Sequence, residues 1–497
     1  MLSAPDHLLQ TNKPPLDVEI HSSREIIASE EHRLRILDEN IARLMSAYHS
    51  TLKALSVERD KSEEKIRRHA SVVSALRRMP SEILLEIFSF TIPPSEETEM
   101  LLTQRSSKFG IGVSPWILTH ISTRWRDICL AAPSLWRTIV VSHLANSDGS
   151  SVPYPLELLN AQLNRSANAT LNLVVQTPNP SRDIHAALLD SSSRWETLKC
   201  TTSGTFLSSL SSQLPLLRSI FIDNMSLDLV PPGEPIDTLD APALRHLTLR
   251  RYPSPLVLQW DKITRYQATG TWDSHLKVLP LMVNLRHAYL WLDRGSNAEQ
   301  TPSVVPRLRK LCLRSWIPPG RIPATLLLPA LTNLSFHGDL EGTSPWIQRQ
   351  DCALQKLAFS ASARAAVMVE LFQQFPTVTD ILIYVDTGFM QYIRELLPRL
   401  SDTTPGALLL PNLKRVAMFF VGGRYAIPEF ISFIQSRRAD ASSTLETVSF
   451  SGQTGRRGLI EAADLLTVKE LEEQGLKVAI EHPMKRSEWE NYHGWQW

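Results

Sequence analysis

The residue types that most often carry out chemistry are scattered along this chain without the spacing that a reaction requires. The four cysteines are far apart, and none belongs to a C-x-x-C pair: Cys129, Cys200, Cys312 and Cys352. There is no H-E-x-x-H, no G-x-S-x-G and no glycine-rich phosphate-binding loop. Gly110-Ile111-Gly112 continues into Val113-Ser114 in a predicted loop, so it is not a dinucleotide fingerprint. The sequence therefore predicts no catalytic residue, no metal site and no cofactor.

The overall composition narrows the class of protein further. The 497 residues carry a net charge of +1, with 43% hydrophobic and 21% charged residues. A chain of this length exceeds what one hydrophobic core supports, so we expect two or more structural units. A net charge near zero gives no general attraction to nucleic acid or to an anionic membrane. Because we find neither a secretory signal nor an uninterrupted apolar run of about 18 residues, we expect a protein of the cytoplasm or the nucleus.

A seven-residue repeat follows a proline-containing leader at residues 1–17. Apolar residues recur every seven positions, and two leucines fill the partner position three residues later: Ile20, Ile27, Leu34, Ile41, Tyr48 and Leu55, with Leu37 and Leu44. The pattern predicts a long helix over residues 18–72, with a narrow apolar seam that another helix must cover. The partner is either another part of this protein or a second copy, which would make a homodimeric coiled coil.

Two short amphipathic helices are predicted in residues 73–140. The first begins at Met79-Pro80-Ser81-Glu82, where proline suits the first turn and the acid suits the positive end of the helix dipole. The second contains Trp125-Arg126-Asp127, and Pro133-Ser134-Leu135-Trp136 follows it. Apolar residues recur at helical spacing in both helices: Ile83, Leu84, Ile87 and Phe88 in the first, and Leu118, Ile121, Trp125 and Ile128 in the second.

This order of motifs resembles the F-box, a helical module that joins a substrate receptor to a cullin-type ubiquitin ligase through a small Skp-family adaptor. The resemblance extends to F-box proteins common in mushroom-forming fungi, which carry a heptad helix before the box and a long repeat region after it. Met79 replaces the usual leucine, and Ser122 stands where cysteine is common. The resemblance implies the residues of the box and its adaptor-facing surface: Pro80, Ile83, Leu84, Ile87, Phe88, Leu118, Ile121 and Trp125.

An irregular repeat occupies residues 141–482. Its phrase is apolar, two polar, apolar, any residue, apolar, as in Leu308-x-x-Leu311-x-Leu313. The phrase begins at ten positions: Trp195, Leu217, Leu244, Leu285, Leu308, Leu331, Leu354, Val378, Leu413 and Leu445. The gap after Leu244 predicts a degenerate unit near Ile263. The phrase resembles a leucine-rich repeat, whose units stack into a solenoid with a curved parallel sheet, although the usual asparagine is missing from most units.

Other elements of the repeat region complete the predicted fold class, an α+β or α/β solenoid behind a coiled-coil helix and an F-box. Helical returns are predicted at residues 364–375, 428–438 and 459–474, and a last strand at 476–480. A helix at residues 155–164 and a strand at 170–176 are expected to cap the first repeat. The aromatic tail at residues 483–497 is expected to fold onto the last repeat; the alternative is a docking motif.

Side chains alternate between the two faces of a strand, so residues between the core positions point away from the core. On this predicted concave face we expect the residues that bind a target: His246, His287, Tyr289, Lys310, Lys356 and Arg415. Asn333, Asp380 and Thr447 occupy the same strand position as His246, His287, Lys310, Lys356 and Arg415. Tyr289 lies two residues further along its strand, as do Thr248, Cys312, Ser335 and Ala358 on theirs. The basic residues favour an acidic or phosphorylated target segment. The alternative is an ordinary solvated strand face.

The resemblance implies that the protein is a non-catalytic, substrate-recognition subunit of an SCF-type ubiquitin ligase. Its partners would be a Skp-family adaptor, through it a cullin, and a target protein. The alternative is a coiled-coil and repeat scaffold for protein–protein interaction without a link to a ligase.

Overall fold

The computed structural model forms two compact units, Met1–Glu86 and Ile87–Trp497. It describes the following residues: 14–92, 115–142, 144–145, 151–177, 180–201, 214–223, 239–250, 257–292, 303–315, 326–338, 340–360, 363–402, 404, 408–421, 427–439, 443–452 and 462–480. The predicted leader up to residue 13, the predicted loop at residues 95–113 and the aromatic tail lie outside these residues.

The first unit contains one long helix, α1 (Asp17–Val72), and a short helix, α2 (Ala75–Arg78). Helix α1 has no glycine or proline, and ion pairs between its successive turns support it, such as Arg68 with Glu64 at 2.7 Å. At its start, the backbone N–H of Leu16 donates to the Glu19 carboxylate at 2.8 Å. The predicted long helix is confirmed, with bounds within one residue of the heptad pattern.

Short helical segments follow. Helix α3 (Ser81–Phe90) crosses from the first unit into the second, and α4 (Thr123–Leu130) lies in the second, flanked by 3-10 turns at Ile117–His120 and Pro133–Trp136. The prediction of one continuous apolar stripe from Leu118 to Ile128 is wrong. Ser122 has an extended backbone (φ −158°, ψ 163°), and it separates the 3-10 turn from α4.

A parallel sheet dominates the second unit. Its fourteen described strands pair in chain order: β1 (Thr138–Val141), β4 (Leu171–Val175), β5 (Trp195–Cys200), β6 (Ser219–Asp223), β7 (His246–Arg250), β8 (Arg265–Gly270), β9 (His287–Leu292), β11 (Lys310–Ser315), β13 (Asn333–His337), β14 (Lys356–Ser360), β15 (Asp380–Asp386), β16 (Arg415–Val421), β17 (Thr447–Gly452) and β18 (Lys477–Ile480). Two small sheets pair β2 (Leu144–Ala145) with β3 (Ser151–Val152), and β10 (Ser303–Val304) with β12 (Leu326–Leu327). The open, parallel strand order is consistent with the predicted α/β solenoid-like fold.

Every occurrence of the repeat phrase supplies a strand, and the degenerate unit near Ile263 is strand β8. The helix and the strand predicted before the first repeat are present, at Leu156–Arg165 and as β4, but β4 does not close the end of the sheet. Strands β1 and β4 pair in parallel with each other, and β4 pairs with β5, so they extend the same sheet. The sheet therefore begins with β1, at the boundary between the segment assigned to the box and the repeat region.

Helices connect many of the strands: α5 (Leu156–Arg165), α6 (Arg182–Asp190), α7 (Trp272–Val278), α8 (Leu340–Ile347), α9 (Ala365–Gln374), α10 (Met390–Leu400), α11 (Ile427–Ala439) and α12 (Ala462–Glu473). The sequence predicted α5, α9, α11 and α12, and it missed the other four. Pro345 lies inside α8 and Pro398 inside α10. Proline usually ends a helix, so it hid the amphipathic pattern around these two residues.

The main core lies on one face of the sheet. Each phrase contributes apolar residues to it; Leu285, Ala288 and Leu290, for example, are all fully buried. Helix residues such as Phe372 and Phe430 belong to the same cluster. Burying one side chain of this size stabilises a fold by roughly 1.5–3 kcal/mol. One unit alone cannot cover these side chains, so the strands must stack.

Backbone carbonyl groups just before the strands join each repeat to the next. The carbonyl oxygen of Arg286 accepts the N–H groups of Arg309 and Lys310 at 2.9 and 3.0 Å, and Arg309 does the same for Thr332 and Asn333. This two-donor pattern recurs between units and fixes the start of each strand against its neighbour.

Helix α7 carries a fully buried histidine, His275, beside the hydroxyl group of Tyr266 on β8. The His275 Nδ1 lies 3.4 Å from this hydroxyl, and the two rings are nearly perpendicular. Burial lowers the pKa of His275 to about 4, because the charged imidazolium is disfavoured away from bulk solvent. The folded protein therefore holds His275 neutral throughout the neutral and mildly acidic range.

Acidification should destabilise the protein through this residue. Between the ordinary pKa of 6.5 and the folded value of about 4, the unfolded chain binds a proton that the folded chain excludes, so the free energy of unfolding falls as the pH falls through that window. The expected loss from pH 7 to pH 4.5 is about 2.4 kcal/mol. Chemical denaturation at both pH values measures it.

The His275→Gln variant should lose part of this pH dependence. The His32→Gln variant, on the exposed surface of α1, should retain all of it. An identical pH dependence in the unchanged protein and in His275→Gln would contradict the assignment.

Candidate interaction surfaces

Helix α3 places two of the predicted box residues in the interior. Leu84 and Phe88, four residues apart, are buried. The Phe88 ring lies 4.7 Å from the ring of Trp125, which is half-buried on α4. This aromatic contact fixes the end of α3 against α4 within the second unit.

The same helix exposes a second set of apolar residues. Ile83, Ile87 and Phe90 are spaced by four and three residues, which places them on one face of α3, and their exposed fractions are 45%, 39% and 81%. Pro80, just before the helix, is also exposed. We call Ile83, Ile87 and Phe90 the α3 ridge. Phe90 was missed in the sequence, although its spacing of seven from Ile83 was a signal.

The predicted residues around α4 divide in the same way. Leu118 is buried, whereas Ile121 is 55% exposed. Two further apolar residues of this segment, Ile117 and Leu130, are exposed and were not predicted. The eight residues implied by the resemblance therefore comprise both interior and surface positions.

Trp136 anchors this helical segment to the start of the sheet. Its ring contacts that of Trp116 at 4.9 Å, and its Nε1 donates to the carbonyl oxygen of Cys129 on α4 at 2.8 Å. The guanidinium group of Arg165, at the end of α5, lies 4.4 Å from the Trp116 ring and 4.5 Å from the Trp136 ring. A cation close to two aromatic rings is attracted electrostatically by the quadrupole of each ring. Burial lowers the pKa of Arg165.

Ser122 has a structural role at the start of α4. Its hydroxyl oxygen accepts the backbone N–H of Trp125 at 3.2 Å, which makes it the N-cap of α4. The Arg126 side chain donates to the carbonyl oxygen of Thr119 at 2.9 Å and so connects α4 to the preceding turn. These contacts position Ile121 and Trp125 on either side of the cap.

A row of polar side chains crosses the sheet on the face opposite to the main core. The strand register places ten residues side by side: His246, Arg265, His287, Lys310, Asn333, Lys356, Asp380, Arg415, Thr447 and Lys477. Neighbouring strands are about 4.8 Å apart. We call these residues the basic row, because five of them are Arg or Lys and one is Asp. Arg265 was missed in the sequence, because its strand belongs to the degenerate unit.

The predicted contribution of the two histidines to the positive charge is wrong. Burial, followed by the nearby Arg265 and Lys310, lowers the pKa of His287 to about 4. Burial and Arg265 also lower the pKa of His246. Both residues are therefore neutral at pH 7. The charge comes from Arg265, Lys310, Lys356, Arg415 and Lys477.

The lysines of the basic row repel one another. Burial, together with Lys356 and Arg265, lowers the pKa of Lys310. Arg415 forms an ion pair in which its Nε donates to the carboxylate of Asp380. An open groove of about 610 Å³ lies beside this pair and is lined also by Lys414, Glu446 and Lys477. An anionic group along the row would relieve the repulsion among the lysines.

Two residues further along the strands, the predicted exposed face is not uniform. Tyr289 is half-buried, and it forms an aromatic group with Trp291, whose ring lies 6.4 Å away. The Arg314 guanidinium group lies 5.4 Å from the Tyr289 ring. In contrast, Cys312, Ser335 and Ala358 are buried, so the prediction that they line an exposed face is wrong.

Within the described part of the chain, no group of three or more His, Cys, Asp or Glu side chains could hold a metal ion. Burial raises the pKa of Cys129 to about 11, and burial with Asp351 does the same for Cys352, so both thiols are protonated and poorly nucleophilic at pH 7.

Among the described helices, none has the length and apolar character needed to cross a bilayer. No model of a known protein family matches the chain, and no curated protein matches it at a significant level.

The N-cap role of Ser122 predicts the effect of replacing it. The Ser122→Ala variant should lower the free energy of unfolding by about 1 kcal/mol, because an N–H group of the first turn of α4 loses its acceptor. Ser122→Asp should retain the stability, since aspartate also caps a helix. Thermal and urea denaturation measure the difference.

The matched control is Ser134→Ala, at an exposed position in the following 3-10 turn, which should change stability little. A loss in the control as large as that in Ser122→Ala would contradict the capping role.

Proposed function

We propose that this protein is a non-catalytic substrate-recognition subunit of an SCF-type ubiquitin ligase. Its helical segment binds a Skp-family adaptor, which connects it to a cullin, and its sheet binds a target protein. The observation that carries this proposal is the division of α3 into a buried pair, Leu84 and Phe88, and the exposed α3 ridge. The resemblance to the F-box supplies the identity of the partner.

The α3 ridge has the chemistry of a docking surface. Contact of three large apolar side chains with water is thermodynamically unfavourable. A partner that buries them on this helix face therefore gains binding free energy. Exposed aliphatic and aromatic anchors of this kind contribute most of the binding energy in protein interfaces. Ile117, Ile121 and Leu130 offer further exposed apolar area in the second unit.

The basic row supports the second half of the proposal. The five cations of the row lie on every second strand, so successive cations are about 9.6 Å apart, which is twice the spacing between strands. An acidic or phosphorylated segment that lies across the strands meets a new donor at each step, and charge-assisted hydrogen bonds would hold it. The neutral His246 and His287 add hydrogen-bonding groups without adding charge.

The proposal has consequences for chemistry and location. The chain itself performs no reaction and needs no cofactor; transfer of ubiquitin belongs to the other subunits. Its site of action is the cytoplasm or the nucleus, where such ligases work.

The first test separates binding from folding on one helix. Ile87→Ala should weaken adaptor binding by about 1–3 kcal/mol and leave the stability nearly unchanged, because Ile87 lies on the α3 ridge. Phe88→Ala should instead lower the free energy of unfolding by about 3–5 kcal/mol, because it empties a buried site against Trp125. Calorimetric titration with a purified Skp-family adaptor and urea denaturation measure the two effects.

Leu281→Ala, at another exposed apolar position, is the matched control and should change neither quantity. Unchanged adaptor affinity in a variant with Ile83, Ile87 and Phe90 all replaced by alanine would sink the proposal. In that case a scaffold without a link to a ligase becomes the better account.

The second test concerns the basic row. The double variant Lys310→Glu and Lys356→Glu should bind a phosphoserine-containing acidic peptide at least about tenfold more weakly than the unchanged chain, because two attractive contacts become repulsive. Fluorescence anisotropy at low and physiological salt measures the affinity. The binding of the unchanged chain should weaken as salt increases.

Lys277→Glu is the matched control, because Lys277 is exposed on α7, whose apolar residues pack in the main core. It should leave the affinity unchanged. Equal affinity in the double variant and the control would contradict the role of the basic row.

A further inference from the structure

Helix α1 presents an apolar seam that is exposed in the single chain. Seven residues of the heptad pattern are exposed: Ile27, Leu34, Leu37, Ile41, Leu44, Tyr48 and Leu55. They lie on one side of a helix that runs without interruption from Asp17 to Val72. A seam of this length on an isolated helix is unfavourable in water and is stabilised when a second helix packs against it.

The residue types along the seam favour a coiled coil of two helices. With heptad positions named from a to g, position a holds Ile20, Ile27, Leu34, Ile41 and Tyr48, and position d holds Ser23, Glu30, Leu37 and Leu44, of which the two leucines lie in the centre of the seam. Branched isoleucine at a, combined with leucine at d, is typical of parallel dimers. Glu30 also occupies a d position, and its carboxylate lies 3.8 Å from the Arg33 guanidinium group, which moderates the repulsion from a second copy.

The charged residues beside the seam favour a parallel arrangement of the two helices over an antiparallel one. In a parallel dimer each g residue faces the e residue five positions later on the other chain. Glu19 then faces Arg24, and Arg33 faces Asp38, so two attractive pairs form and symmetry doubles them. An antiparallel dimer that aligns the leucines of the seam brings Asp38 against Asp38 of the second copy.

We propose that α1 is the dimerisation element of this protein, and that it pairs with α1 of a second copy as a parallel, in-register coiled coil centred on residues 27–48. The pairing buries the exposed seam and forms the Glu19–Arg24 and Arg33–Asp38 contacts between chains. The proposal is independent of the ligase assignment, because it concerns neither α3 nor the sheet. In a dimer, the protein would present two target-binding faces.

Disulfide trapping of the full-length chain tests the register. In a parallel dimer each d residue faces its own counterpart, so Leu37→Cys should form a covalent dimer under mild oxidation, as seen on a non-reducing gel. Glu39→Cys, on the opposite side of the helix, should not, and the unchanged chain gives the background from the native cysteines. A Leu37→Cys chain that stays monomeric, or that forms no more dimer than Glu39→Cys, would overturn the proposal.

A charge exchange tests the orientation. Arg33→Asp should weaken the dimer by about three- to tenfold in sedimentation equilibrium, because it places two acidic residues together in each symmetric contact. The double variant Arg33→Asp with Asp38→Arg should restore the affinity, since it exchanges the two charges. Failure of the second change to rescue the first would refute parallel pairing, and a chain that is monomeric at all concentrations would refute the dimer.

Discussion

The stacking of parallel strands is the constraint on which the rest of this structure depends. Each repeat places apolar residues on one face of its strand, and these residues are buried only because a neighbouring strand and a return segment cover them. Backbone carbonyl groups that each accept two N–H groups from the next repeat set the register from strand to strand. That register determines which side chains share a row on the other face of the sheet.

The basic row follows directly from this register. Residues more than 20 positions apart in the sequence, such as Lys310 and Lys356, become near neighbours because the first position of every strand is aligned. The same alignment places Arg265 close enough to His287 to lower its pKa. At the start of the sheet, the aromatic contacts of Arg165 connect the helical segment to the repeats. Two surfaces of different chemistry, one apolar and one cationic, thus lie on the same chain.

Much of the fold was predictable because its signals are local and repeated. The heptad pattern located α1, and the repeat phrase located the strands, including β8 near Ile263. The failures have physical causes. Pro345 and Pro398 disguised two helices, and the extended Ser122 broke a stripe that looked continuous. On α3, the pairs Ile83-Leu84 and Ile87-Phe88 are equally apolar, so periodicity alone could not tell which residue faces the interior. Cys312, Ser335 and Ala358 are covered by tertiary packing that the strand period does not encode.

Hydrogen–deuterium exchange of the full-length protein, alone and with a purified Skp-family adaptor, tests the central claim most directly. The account predicts slower exchange in the presence of the adaptor in residues 81–92 and 117–130, and unchanged exchange in strands β7 to β18. The helical segment would then be a docking surface and the sheet would remain available for a target. No change in residues 81–92 at saturating adaptor, or protection confined to the sheet, would contradict the account.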